Sequence, residues 1–391
     1  MEFYNEERNY IINNIICFKI LIIFVIFYLI FNDNIIFVFN IKKNNLNYKK
    51  EEEIIILNKY DKFDIIKGYF YNDSFFRPFL DKVKIINYIY NPKYILNNSN
   101  ITKVYVCFTF NNNYLYPILI LAKSILVNTN AEKTFVSLHF LCAPDVNKSS
   151  ITIFKSLINK TPNVELIFYN MSNSFINYKF ERYSQAAYYR LLVPILINAK
   201  KIIYLDADTL ALKDITDMYK LDLNDNYVLG FYDYQKGYRR EKRTEKYIND
   251  GVMLLNLEKI RKDNKTYDLL NMTINGTKLP KHDQTIINYS LYPKVGILPI
   301  KYGIWNFQNH FALMKFIKRL KQKINVTEFK NALDNPSLLH NVRCHPKIWF
   351  TNYKYNGKHN LEFKRFHNLW YKYANETEYI NEIKKLYDVP L

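Results

Sequence analysis

Four cysteines in a chain of 391 residues, Cys17, Cys107, Cys142 and Cys344, form no CxxC pair. A disulfide framework and a cysteine-built zinc site are thereby excluded. Glycine (8) and proline (12) are scarce, while 49% of residues are hydrophobic, which excludes wholesale disorder and leaves enough apolar material for a sizeable core. No internal repeat is present. No nucleic-acid module signature accompanies the net charge of +19, and the 55 Lys and Arg residues are spread along the chain. Nucleic acid is therefore not an expected partner. The abundance of Asn, Lys and Ile pervades every segment and reads as compositional drift.

One long apolar run is present. Ile15 to Phe31 is interrupted only by Lys19, whose ammonium can snorkel to an interface, and no small-residue cleavage site follows. A single-pass membrane anchor over residues 1–45 is expected. Lys42, Lys43, Lys49 and Lys50 follow the run, against Glu2, Glu6, Glu7 and Arg8 before it. Positive-inside counting puts the downstream domain in the cytoplasm, and a lumenal domain needs the opposite bias. The expected location is a membrane: endomembrane or Golgi for a eukaryotic protein, the cytoplasmic face for a bacterial one. Residues 46–100 are polar with short apolar bursts and read as a stem or extension.

From Ile101 the character changes. "KVYVCFTF", "TFVSLHFLC", "VELIFYN" and "KIIYLDAD" read as strands, with "YLYPILILAKSIL" and "SQAAYYRLLVPIL" as helices between them. Near-continuous apolar strands alternating with helices predict an α/β domain, residues 101–310, whose largely parallel sheet is covered on both faces. Residues 311–391 read as mainly helical, including the basic amphipathic "FALMKFIKRLKQK".

The fourth strand ends in Asp206 and Asp208. Ligands of open α/β sheets sit beyond the carboxyl ends of strands, and residues i and i+2 of an extended chain share a side. Two carboxylates there can hold a hard divalent cation shared with a diphosphate. They are also compatible with a solvated strand exit. "LDADTL" further fits the D-x-D-x-T of haloacid-dehalogenase-like phosphatases, with Asp206 as nucleophile and Asp208 as acid/base. That motif belongs on a first strand with a later acidic pair, and neither condition is met.

The blocks around the acids resemble glycosyltransferase family 8 in order, over about two-thirds of the chain, Ile101 to Trp349. "VYVCFTFNNNY" is similar to the strand and loop that receive uracil and ribose, and Phe108, Thr109, Asn111 and Tyr114 stand at matching positions. Alone, that block could be a polar turn capping the next helix through Asn111 or Asn112. "SQAAYYRLLVP" resembles the family's S/T-x-A-x-Y-x-R helix, with Arg190 directed at the nucleotide-sugar. "YINDGVMLLNL" is similar to N-[SA]-G-V-x-L-x-N-L: Asn249 and Gly251 match, whereas Asp250 replaces a small residue. "KHDQTIINY" resembles D-Q-D-x-[IL]-N, with Asp283 and Gln284 matching and Thr285 in place of the third acid. "HNVRCHPKIW" is similar to H-x-x-G-x-x-K-P-W, one residue longer, with His340, Lys347 and Trp349 as counterparts, Arg343 at the glycine place and His345 as a rival ligand.

The resemblance implies a GT-A type nucleotide-sugar-binding fold, with the C-terminal region completing the site. It implies a retaining, metal-dependent hexosyltransferase that takes a UDP-sugar as donor and a glycan, glycolipid or protein as acceptor. Asp206, Asp208 and His340 would hold Mn²⁺ or Mg²⁺. Lys347 and Arg190 would add positive charge at the diphosphate, Asp283 would bind donor-sugar hydroxyls, and Gln284 would lie nearest the anomeric carbon. Thr285 and the irregular His340 block also fit a catalytically silent nucleotide-sugar-binding protein. The segment Tyr234–Ile248 carries six Lys and Arg residues and would border an anionic acceptor or a membrane surface, or form a plain solvated loop.

Overall fold

Strands β2 (Thr102–Phe110), β3 (Thr134–Cys142), β4 (Val164–Asn170) and β5 (Ile202–Leu205) carry the expected parallel core, and in β3 and β5 every residue is buried. The computed structural model describes residues 73–80, 83–91, 101–158, 161–172, 174–175, 184–233, 246–275, 282–305, 326–342, 347–351 and 361–388. The chain divides into Met1–Glu53 and Ile54–Leu391, and all described residues lie in the second unit. The expected membrane anchor, "FALMKFIKRLKQK", His345 and most of the basic segment lie outside the described residues. Among the described residues no helix is long and apolar enough to cross a membrane.

With β1 (Lys84–Asn91), β7 (Val228–Tyr232), β8 (Ile248–Leu255) and β9 (Val295–Ile297), the main sheet has eight strands in the order β1-β4-β3-β2-β5-β8-β7-β9. β1 pairs antiparallel to β4, and β8 pairs antiparallel to both β5 and β7. The pairs β2–β3, β3–β4, β2–β5 and β7–β9 are parallel. The fold is thus a mixed, mostly parallel α/β sheet, as expected. β1 falls within residues 46–100, expected as a stem or extension, and forms an edge strand of the sheet.

Alternation along β2 divides the core. Val104, Val106, Phe108 and Phe110 pack on one face with the helix Leu115–Asn128, while Cys107 packs on the other. Phe140 links that first face, lying 5.1 Å from Phe108 and stacked on Phe168 at 4.5 Å between ring centroids. Burying each such ring contributes about 1.5–3 kcal/mol.

The other face carries a buried polar network across β1 to β4. Glu165 accepts from Tyr88 Oη at 2.8 Å and Ser137 Oγ at 2.6 Å, and pairs with Lys103 Nζ at 2.8 Å. His139 sits between Ser137 Oγ and Tyr169 Oη, each 2.9 Å away. Burial alone would raise the Glu165 pKa, but the Lys103 charge and the donated hydrogen bonds bring it down to about 2. Burial lowers His139 to about 3, against the attraction of Glu165.

Between that value and the ordinary 6.5, the unfolded chain takes up a proton at His139 that the folded chain refuses. Stability therefore falls as pH falls through this window, by about 2 kcal/mol between pH 6.5 and 5. Glu165, with its depressed pKa, adds its own loss only below its ordinary value of 4.5. His139→Gln is expected to flatten the melting temperature against pH between 7 and 5. An unchanged slope would remove His139 as the cause.

Candidate active site

The chain does not leave the sheet as a free loop after β5. Thr209 turns it back, its amide donating to the Asp206 carbonyl at 3.1 Å and its Oγ to the same oxygen at 2.8 Å. It then re-enters as β6 (Thr209–Ala211), which pairs antiparallel with β11 (Leu338–His340) in a second sheet completed by β10 (Ile304–Trp305). His340 lies opposite Thr209 in that ladder, and Asn341 N donates to the Asp208 carbonyl at 2.9 Å. Backbone pairing thus carries a histidine from far along the chain to the two acids.

Asp206, Asp208 and His340 can each point one ligand atom into a space where these atoms lie within 4.8 Å of one another. His340 Nε2 is 3.2 Å from Asp208 Oδ1 and 3.9 Å from Asp206 Oδ2. Two carboxylates and an imidazole suit a divalent cation. The second carboxylate oxygens face outward to partners. Asp208 Oδ2 takes Lys347 Nζ at 2.5 Å, and Lys347 also donates to the Asn341 carbonyl. Asp206 Oδ1 takes Arg190 Nη2 at 2.9 Å and Tyr204 Oη at 3.0 Å. Burial pushes the Asp208 carboxyl up, but Lys347 and His340 outweigh it and hold the group below the usual carboxylate range.

Gly251 closes this cluster from β8. A Cβ there would stand 2.2 Å from His340 Cε1 and 2.5 Å from Asp206 Oδ2, so glycine is required by space. Next to it, Asn249 Oδ1 accepts from Gly251 N at 3.1 Å, and its Nδ2 donates to Gln284 Oε1 at 3.3 Å. Gln284 Nε2 donates to Asp233 at 2.7 Å. Asp283 and Gln284 lie in the first turn of the helix His282–Ser290, which Asn288 ties to β8 through bonds to Ile248 N at 2.7 Å and Ile248 O at 2.9 Å. Burial raises the Asp283 carboxyl, the Arg190 charge opposing it. Thr285, at the third acid's place, is buried and bonds Tyr247 Oη at 2.8 Å, within the packing of the helix.

Neither Asn111 nor Asn112 caps the helix Leu115–Asn128, whose N-cap is Tyr114 with no side-chain bond, so the capping alternative fails; Asn111 Oδ1 is buried without a hydrogen-bond partner. Tyr114 is 37% exposed. Its ring stands edge-on to Trp349 at 6.1 Å, and its hydroxyl feels the charges of Lys347, Asp208 and Asp206. Thr109 Oγ lies 2.8 Å from Tyr204 Oη. Because Tyr204 donates to Asp206, Thr109 is left to donate to Tyr204.

One expectation is corrected, and Arg190 takes a setting that was not anticipated. Phe108 is 0% exposed and packs against Phe140 on the apolar face of β2, because alternation turns it away from Thr109; its ring cannot reach a nucleotide. Arg190, expected to reach the nucleotide-sugar, is buried with its guanidinium ringed by carboxylates. Nη2 meets Asp206, Nη1 is 3.0 Å from Asp250 Oδ2, and Nε is 3.3 Å from Asp283 Oδ2. Nε also donates to the Ala187 carbonyl at 2.9 Å, within an eight-residue 3₁₀ segment, Gln185–Leu192, where an α-helix was expected. Such a long 3₁₀ run is uncommon. Tyr204, Asp233 and Asn288 were not anticipated; only Tyr204 carried a signal, standing two residues before Asp206 on the same side of β5.

The sequence model described as "Glycosyl transferase family 8" matches residues 105–352. A curated relative, "General stress protein A" of Bacillus subtilis (strain 168), is 29% identical over 198 residues, 48% of this chain and 66% of that protein. A "Putative glycosyltransferase" of Haemophilus influenzae is 22% identical over 72% of this chain and 86% of its own length. Among solved structures, the apo bifunctional glycosyltransferase WbbM has a TM-score of 0.60 at 21% identity, covering 76% of this chain and 54% of its own. The galactosyltransferase LgtC, in complex with donor and acceptor sugar analogs, has a TM-score of 0.53 at 21% identity, covering 69% of this chain and 96% of its own. These two structures show likeness of fold. The chain thus spans just under two-thirds of the Bacillus protein and about half of WbbM. Among the described residues four strands precede β5, so its acids do not follow a first strand, as the phosphatase motif requires. With the family match running from β2 to Asn352 and enclosing the Asp206–Asp208–His340 cluster, the chain belongs to glycosyltransferase family 8.

Proposed function

We propose that the chain transfers a hexosyl group from a UDP-sugar to a glycan, glycolipid or protein acceptor, with retention of anomeric configuration. The observation that carries this reading is the convergence of Asp206, Asp208 and His340 beside the Asn249–Gln284 pair at the carboxyl end of β5. Asp206, Asp208 and His340 would hold Mn²⁺ or Mg²⁺, whose chemistry when bound is that of a Lewis acid toward diphosphate oxygens. Lys347 Nζ, already beside Asp208, supplies fixed positive charge where the UDP leaving group gains negative charge. Tyr114 offers an exposed flat face for the base, and the unpartnered Asn111 Oδ1 accepts from base or ribose. Gln284, oriented by Asp233 and Asn249, would lie nearest the reacting carbon, and Asp283 would accept from sugar hydroxyls. A single-pass membrane location, resting on the run from Ile15 to Phe31, belongs to the same proposal.

A panel of UDP-sugars assayed for UDP release with and without Mn²⁺ tests the reading. The expected result is release with one hexose donor that requires Mn²⁺ and stops on chelation. Saturable binding of UDP and Mn²⁺ with no release from any donor would favour the silent binding protein instead.

A further inference from the structure

We propose that Asp250 is a positioning residue for the cation site: through Arg190, it sets which oxygen of Asp206 faces the ligand cluster. The inference rests on the cation-site reading above. Asp250 occupies the place of a small residue in the pattern this segment resembles, and it is buried at 6% exposure. Its carbonyl accepts from Arg190 Nη1 at 3.0 Å. Its Oδ2 lies 3.0 Å from the same nitrogen but out of hydrogen-bond alignment. The guanidinium lies over the Tyr204 ring at 4.5 Å, so Asp250, Asp283, Asp206 and Tyr204 enclose it.

This arrangement fixes Asp206. Its Oδ1 is taken by Arg190 and Tyr204, and only Oδ2 faces His340. Carboxylates that ligate cations are commonly oriented by such outer partners, and losing one typically costs 10–100-fold in affinity. Without the Asp250 side chain, the buried guanidinium turns its charge and hydrogen bonds more fully onto Asp206 and Asp283. That competition weakens cation binding, although Asp250 is not itself a ligand.

The test is direct Mn²⁺ binding to the substrate-free protein, by electron paramagnetic resonance or calorimetry, for wild type, Asp250→Asn and Asp250→Ser. Asn keeps the shape without the acid, and Ser restores the small residue of the family pattern. Both variants are expected to bind Mn²⁺ about tenfold more weakly. Melting temperatures identify the folded material, because a purely structural role would lower them without changing the dissociation constant of the folded fraction. In an Arg190→Gln background, the Asp250 substitutions are expected to add no further loss, since their effect passes through Arg190. Wild-type affinity in folded Asp250→Asn and Asp250→Ser would overturn the assignment. Absence of Mn²⁺ binding by wild type would instead remove the cation site itself, and the inference with it.

Discussion

Asp208→Asn is expected to lower Mn²⁺-dependent UDP release by more than ~100-fold in kcat, with the metal-free fold intact. The amide keeps the shape of the carboxylate and removes its charge. Asp208 is engaged on both oxygens, by His340 Nε2 at 3.2 Å and by Lys347 Nζ at 2.5 Å. The substitution therefore withdraws a ligand and weakens the hold on Lys347. Two measurements separate loss of the site from loss of the fold. A ligand present at 100 times its dissociation constant stabilises a protein by about 2.7 kcal/mol. Wild type should show that rise in stability with Mn²⁺, and Asp208→Asn should lose it while melting near wild type without metal. Wild-type turnover in the variant would end the assignment of Asp208 as a ligand.

The parts of this site that were legible in the sequence share a physical reason. β2 to β5 are buried on both faces, so they read as apolar runs, and the acids at the end of the last one fall where sheets of this class bind ligands. The rest depends on pairing between distant residues. β6 and β11 have three residues each, too few for any periodicity, yet their ladder delivers His340 to Asp208. β1 is eight residues of mixed character inside a polar segment, and only its partner β4 makes it a strand. Arg190 was legible as a site residue but its partners were not, because the carboxylates lie at positions 206, 250 and 283. Phe108 was misjudged for a local reason: a motif match names positions, whereas strand alternation decides which of two neighbours faces the site.

Gly251→Ala is expected to weaken Mn²⁺ binding by more than ~100-fold, a larger loss than substitution of Asp250. The backbone at Gly251 is ordinary strand within β8, so the cause is space rather than conformation. The added methyl would lie 2.2 Å from His340 Cε1, 2.7 Å from His340 Nε2 and 2.5 Å from Asp206 Oδ2. Neither neighbour can withdraw easily. His340 is buried in β11, whose backbone is paired to β6, and Asp206 is pinned through Oδ1 by Arg190 and Tyr204. The methyl must therefore drive apart two of the three ligands. Overpacking of this kind costs about 1–3 kcal/mol, so a lower melting temperature should accompany the lost affinity. Addition of Mn²⁺ should then fail to restore the melting temperature, whereas it should still stabilise the Asp250 variants at higher concentration. An alanine variant that binds Mn²⁺ as wild type does would show that the space between Asp206 and His340 is not where the cation sits.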